Sequence, residues 1–166
     1  MKTNQSNKTR LSIFERITNR RPLGSTKRPT WSTPAMETLQ SEWAGVIKMR
    51  DRMQKLTTFS FAAGVPSSAT GVVYNLPVLL AFDVLGHVLR AARGEGLFAC
   101  KSNHPGPLME YAKTAFLWLD WDELRAGVRR RNEIAHNGQL FDGARCLHDI
   151  ENVEKQLMEW GLIPPP

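Results

Sequence analysis

The chain reads as an all-α protein, an antiparallel bundle of about five helices preceded by a basic N-terminal tail. Three observations carry that expectation. Apolar residues recur at three- and four-residue spacing in several separate segments of the 166-residue sequence. Start and stop signals of helices bound those segments. No segment shows sustained period-two alternation joined by hairpin turns, the pattern a sheet would need.

The elements follow in order. Residues 1–30 are rich in Asn, Ser, Thr, Lys and Arg and hold too little apolar surface to offset the entropy of ordering. They are read as a flexible basic tail, with residues 31–166 forming the domain. Within the tail, Leu11 to Ile17 is a short amphipathic island able to become helical against a partner or the body. Thr33-Pro34 is an N-cap and N1 pair. Met36, Leu39, Trp43, Val46, Ile47, Met53 and Leu56 then line one face of a helix of about five turns. Ser60 to Gly71 reads as a loop. A second helix opens at Asn75-Leu76-Pro77, carries Leu79, Leu80, Val84, Val88 and Ala91, and ends by Gly94 or Gly96. A third starts near Pro107, with Leu108, Tyr111, Ala112, Ala115, Phe116 and Leu119 inward. The fourth has the clearest start, since Asp120 followed by Glu123 fits a capping box, and it stops at Asn137-Gly138, where positive φ is easily placed. The last shows Leu147, Ile150, Val153, Leu157 and Trp160 before Gly161 and three prolines.

Charge is unevenly spread. Eight Lys/Arg against one acid give residues 1–30 a surplus of seven positive charges, while the rest of the chain is one charge short of neutral. Such a tail suits an anionic partner. Cys100 and Cys146 have no metal-ligand or disulfide-framework spacing, so free thiols, no metal, no cofactor and a cytoplasmic location are expected. No secretory h-region is visible, although a basic, Ser/Thr-containing tail also fits an organellar transit peptide. Leu56 to Phe82 is uncharged and long enough to span a membrane, but Pro66, Ser67, Ser68, Thr70, Gly71, Asn75 and Pro77 interrupt it, which argues against a membrane role.

The fourth helix breaks its own pattern. Leu124, Val128, Asn132 and His136 fall on one line at four-residue steps, and Arg131 and Ala135 follow Leu124 and Val128 on the neighbouring ridge. Continuing an apolar stripe with a cation, an amide and an imidazole costs several kcal/mol unless the groups are paired or face a cleft. That cost marks the segment as a candidate site. Residues five apart lie about 140° apart around a helix, so Arg131 and His136 need the long Arg side chain, or a second copy of the helix, to meet one substrate.

The run Arg129-Arg130-Arg131-Asn132-Glu133-Ile134-Ala135-His136-Asn137-Gly138 resembles the signature of the HEPN superfamily (higher eukaryotes and prokaryotes nucleotide-binding domains). That motif is Arg, then Asn or another polar residue, a few variable positions, and His. The resemblance covers residues 34–163 and leaves the tail without a counterpart. It implies a small helical bundle that dimerises so that two motifs face one cleft. It also implies a metal-independent endoribonuclease of the kind found in toxin–antitoxin, CRISPR-associated and anti-phage systems, with an antitoxin or defence-complex partner. On this reading RNA supplies its own nucleophile, the 2′-hydroxyl. His136 is the general acid or base, Arg131 holds the scissile phosphate, and Asn132 orients His136 or binds the phosphate. Arg129 and Arg130 contact flanking phosphates. The products are a 2′,3′-cyclic phosphate and a 5′-hydroxyl.

Blander readings stand beside these. His136 serves equally as a cation at a helix C-terminus, and the arginines as a solvated patch. Glu133 reads as a surface residue, and His87, His104 and His148 as structural or solvated. The five tryptophans read as core or dimer-interface residues. Two other functions compete: a HEPN-like interaction subunit that cuts nothing, and a nucleic-acid-binding accessory protein that works through its tail.

Overall fold

Helical spacing of apolar residues becomes helix across the described residues. The computed structural model describes residues 31–64 and 72–165, and within them the only regular elements are helical. Helix α1 spans Thr33–Ala62, a single 3₁₀ turn spans Val72–Tyr74, α2 spans Asn75–Gly94, α3 Pro105–Ala112, α4 Trp121–Asn137 and α5 Gly143–Glu159. The tail, 1–30, and most of the predicted loop, 65–71, lie outside the described residues.

Helix α2 is the centre of the bundle and packs against each of the other four. Val78, Ala81, Phe82, Leu85, Val88, Leu89 and Ala92 are all fully enclosed. The expected stripe of Leu79, Leu80, Val84, Val88 and Ala91 caught only part of this, because a helix wrapped on several sides has no single apolar face. With the preceding turn, α2 is apolar and long enough to cross a membrane, yet 61% of that window is buried inside the bundle, as befits a core helix. Helices α1 and α2 run antiparallel: the Ser32 amide donates to Glu95 Oε1 at 3.1 Å at one end, while His87 meets Glu42 farther along both helices.

Two sequence expectations are corrected here. Helix α1 has 30 residues, about eight turns rather than five, and continues through Ala62 where a loop was expected. Its N-terminal half buries Leu39, Trp43 and Val46, but Leu56 is 53% and Phe59 73% exposed, because the helix outruns the body. Helix α3 starts at Pro105, with prolines in its first turn, and ends at Ala112. Leu108, Ala112 and Phe116 are buried as expected, whereas Tyr111 and Leu119 face outward. The chain leaves helical geometry after Ala112, so three- and four-residue spacing no longer predicts direction at Leu119. Buried Gln156 of α5 fixes that stretch instead, accepting from the Leu119 amide and donating to the Leu117 carbonyl.

The ends of the later helices follow the sequence signals. Asp120 Oδ1 accepts from the Glu123 amide at 3.0 Å, and Asp142 caps α5 through the Arg145 amide. Gly138 closes α4 in the left-handed conformation at φ 64°. The capping box is only half made, since the Glu123 carboxylate turns away to Arg145. Trp160, Trp118 and Phe116 stack edge to face at the base of the bundle, and Trp31 Nε1 donates to the Trp160 carbonyl, tying the start of the domain to its end.

Candidate functional site

Helix α4 enters the bundle on an apolar stripe and leaves it on a polar one. Leu124, Gly127 and Val128 are buried, with Gly127 against the Phe82 ring; an added Cβ there would come within 2.2 Å of Phe82 Cζ. That close approach brings the next turn of α4 alongside the middle of α2. Arg131 lies at this crossing, its side chain 20% exposed, and its Nη2 donates to Asp83 Oδ1 of α2 at 2.7 Å. A pair whose acid is nearly half exposed contributes ~1 kcal/mol or less. Its main effect is therefore to orient the guanidinium.

Two further contacts define that group. Nη1 makes a long contact of 3.4 Å to Asn132 Oδ1, and Nε is buried without a hydrogen-bond partner among the described residues. A buried donor left unmade costs about 1–3 kcal/mol.

The predicted site residues separate into three environments. Arg131 and Asn132 are adjacent and partly buried. Asn132 turns its oxygen toward Arg131, so its predicted role as the group that orients His136 has no support in the geometry. His136 is exposed in the last turn of α4 and makes no hydrogen bond or ion pair among the described residues. Arg129 is exposed and equally free.

Arg130 differs from its neighbours. Its Nε donates to Asp149 Oδ2 at 2.8 Å and its Nη2 to Oδ1, a bidentate fork on a carboxylate that is 2% exposed. The hydrogen bonds to Asp149 hold this guanidinium more firmly protonated than usual, against the opposing effect of burial. Glu123 approaches the same fork at 3.6 Å. Arg130, expected to contact a flanking phosphate, here turns its donors to Asp149 and joins α4 to α5. Near it, Cys146 is buried, and burial, followed by the charges of Asp149 and Asp142, pushes its thiol up to about 12. It stays protonated and is no nucleophile. Both cysteines are free, as expected.

Sequence reasoning missed what lies across from Arg131. Asp83 also rims a groove of 390 Å³ between α1 and α2, floored by Val46, Leu80 and Val84 and rimmed further by Glu42 and His87. His87 Nδ1 lies 2.7 Å from Glu42 Oε2. The signal was present, since Asp83 is the one Asp, Glu, Lys or Arg between Leu56 and Leu89. An isolated acid in an apolar helix needs a partner or a purpose. Among the described residues, no group of three His, Cys, Asp or Glu has the arrangement of a metal site. Compared with models of protein families, with characterised proteins and with solved structures, the chain gives no match.

Proposed function

We propose that the chain is a metal-independent endoribonuclease of HEPN type, acting as the toxin or effector of a toxin–antitoxin or anti-phage system. One observation carries the reading: an Arg-Asn-x-x-x-His run places a held, donor-rich guanidinium and a free, exposed imidazole on successive turns of one helix end. Arg131 supplies donors for a phosphodiester and for the charge that builds on it in the transition state. His136 transfers a proton to or from the sugar oxygens. The nucleophile is the 2′-hydroxyl of the RNA, and exposed Arg129 is placed to meet a flanking phosphate.

The angular separation of Arg131 and His136 on α4 favours a homodimer in which each phosphate meets Arg131 of one copy and His136 of the other. A second reading is favoured by the same ion pair: Asp83 already neutralises Arg131, as expected of an interaction subunit that keeps the motif without cutting. Incubation of labelled RNA with purified protein in excess EDTA separates the two. The nuclease reading expects cleavage that survives chelation, leaves 2′,3′-cyclic phosphate ends and falls at least 100-fold in Arg131→Ala and His136→Ala. Intact RNA after incubation with folded wild-type protein would favour the interaction subunit.

A further inference from the structure

Transesterification of RNA needs two proton transfers, one from the attacking 2′-hydroxyl and one to the leaving 5′-oxygen. The Arg-Asn-x-x-x-His run supplies a single imidazole. We infer that His87, oriented by Glu42, is the second proton-transfer group, acting as general base on a phosphodiester held by Arg131; this rests on the nuclease reading above.

Three features of the structure meet at that assignment. First, His87 and Glu42 form a dyad in which one ring nitrogen faces a carboxylate at 2.7 Å. With the proton on Nδ1 directed at Glu42, Nε2 carries the free lone pair, which is the form a general base requires. Second, Asp83 precedes His87 by four residues, so both project from one face of α2, about 6 Å apart along the axis. Asp83 grips Arg131 and lines the same groove as His87, so it links the guanidinium to the rim on which the imidazole lies. Third, the groove that Asp83 and His87 rim is open, with an apolar floor of Val46, Leu80 and Val84 beside the polar rim, which suits a base stacked next to its own phosphate. The charged group that His87 contacts is Glu42 from α1, while Asp83, one turn earlier on its own helix, lines the same groove and carries Arg131 of α4.

The reaction balances within these groups. His87 Nε2 takes the 2′-hydroxyl proton as the O2′–P bond forms, the P–O5′ bond breaks, and His136 of a second copy protonates the leaving oxygen. A 2′,3′-cyclic phosphate and a 5′-hydroxyl result, and no oxidant or metal enters. Glu42 is a positioning residue, since it touches His87 and not the substrate.

The test uses two RNA substrates, one ordinary and one with a 5′-bridging sulfur, whose thiolate leaves without a proton. Wild type, His87→Gln, Glu42→Gln and His136→Ala are assayed on both, with circular dichroism to confirm folding. His87→Gln is expected to lose at least 100-fold in kcat on both substrates with little change in KM, while His136→Ala loses activity on the ordinary substrate and recovers on the sulfur one. Glu42→Gln falls about tenfold on both, since the amide oxygen can still accept from Nδ1 but the carboxylate's charge is lost. Equal cleavage of both substrates by His87→Gln and wild type overturns the inference and leaves the nuclease reading standing. Wild type that cuts neither substrate overturns the reading itself. Imidazole added to His87→Ala supplies a separate check: partial recovery supports a proton-transfer role, and no recovery by a folded variant opposes it.

Discussion

At the residue scale, three consecutive arginines share one charge and have three different duties. Arg129 is exposed and unpaired, Arg131 is oriented by a half-exposed acid, and Arg130 is clamped by a buried one. Their order in the sequence cannot separate them, because the difference lies in which partner the neighbouring helices present. A 100° step per residue turns Arg130 toward α5 and Arg131 toward α2. Removing one member of a buried ion pair strands the other charge and costs about 3–5 kcal/mol, whereas an exposed pair contributes at most about 1 kcal/mol. Arg130→Ala and Asp149→Ala are therefore expected to lower unfolding free energy by about 3 kcal/mol or more in urea titrations, and Arg129→Ala by less than ~0.5 kcal/mol. RNA affinity should respond in the opposite order: Arg129→Ala weakens binding, while a folded Arg130→Lys leaves it unchanged. Equal stability of Asp149→Ala and wild type would show that the clamp is ornamental and would return Arg130 to the list of RNA contacts.

At the element scale, the site depends on how closely α4 can approach α2. Gly127 and Phe82 set that distance, and the Asp83–Arg131 contact one turn later depends on it. An added methyl group at Gly127 has a ring carbon at 2.2 Å, with Phe82 itself fully enclosed and without room to retreat. Gly127→Ala thus gains some intrinsic helix propensity, ~1 kcal/mol, but loses more through overpacking, about 1–3 kcal/mol or beyond. A lower melting temperature is expected, with cleavage reduced even at temperatures where the variant is folded, because Arg131 is displaced. A Gly127→Ala protein as stable and active as wild type would mean that the helices have room to part. This contact was not legible in the sequence, where Gly127 is one glycine among twelve. The existence of the helices and the ends marked at Asp120, Gly94 and Gly138 were legible, because those signals are local; the end of α1, at Ala62, was not. Directions at Tyr111 and Leu119 were not, because a two-turn helix is too short for its periodicity to show where it stops. The motif residues were readable from spacing; Asp83, Glu42 and His87 came together only through the crossing of α1, α2 and α4.

At the scale of the whole molecule, charge and fold are carried by different parts of the chain. The surplus of seven positive charges lies in residues 1–30, while among the described residues every buried core residue lies from Leu39 onward and the domain is closed by Trp31 on Trp160. A chain beginning at residue 31 should therefore keep the helical signal and the melting temperature of the full protein. Its RNA binding should change in kind. Each phosphate neutralised by Lys or Arg contributes about −0.7 to the slope of log affinity against log salt on single strands, so eight tail cations in contact would give a slope near −5 or −6. Removal of the tail is expected to erase most of that slope while cleavage in EDTA at high RNA concentration persists, since Arg131, His87 and His136 all remain. If cleavage disappears along with the salt dependence in a folded truncated protein, the tail takes part in the site, and the third reading, an accessory protein acting through its tail, gains at the expense of the nuclease. A slope that survives truncation would place the main electrostatic contacts on the body, where Arg129 is the first residue to substitute.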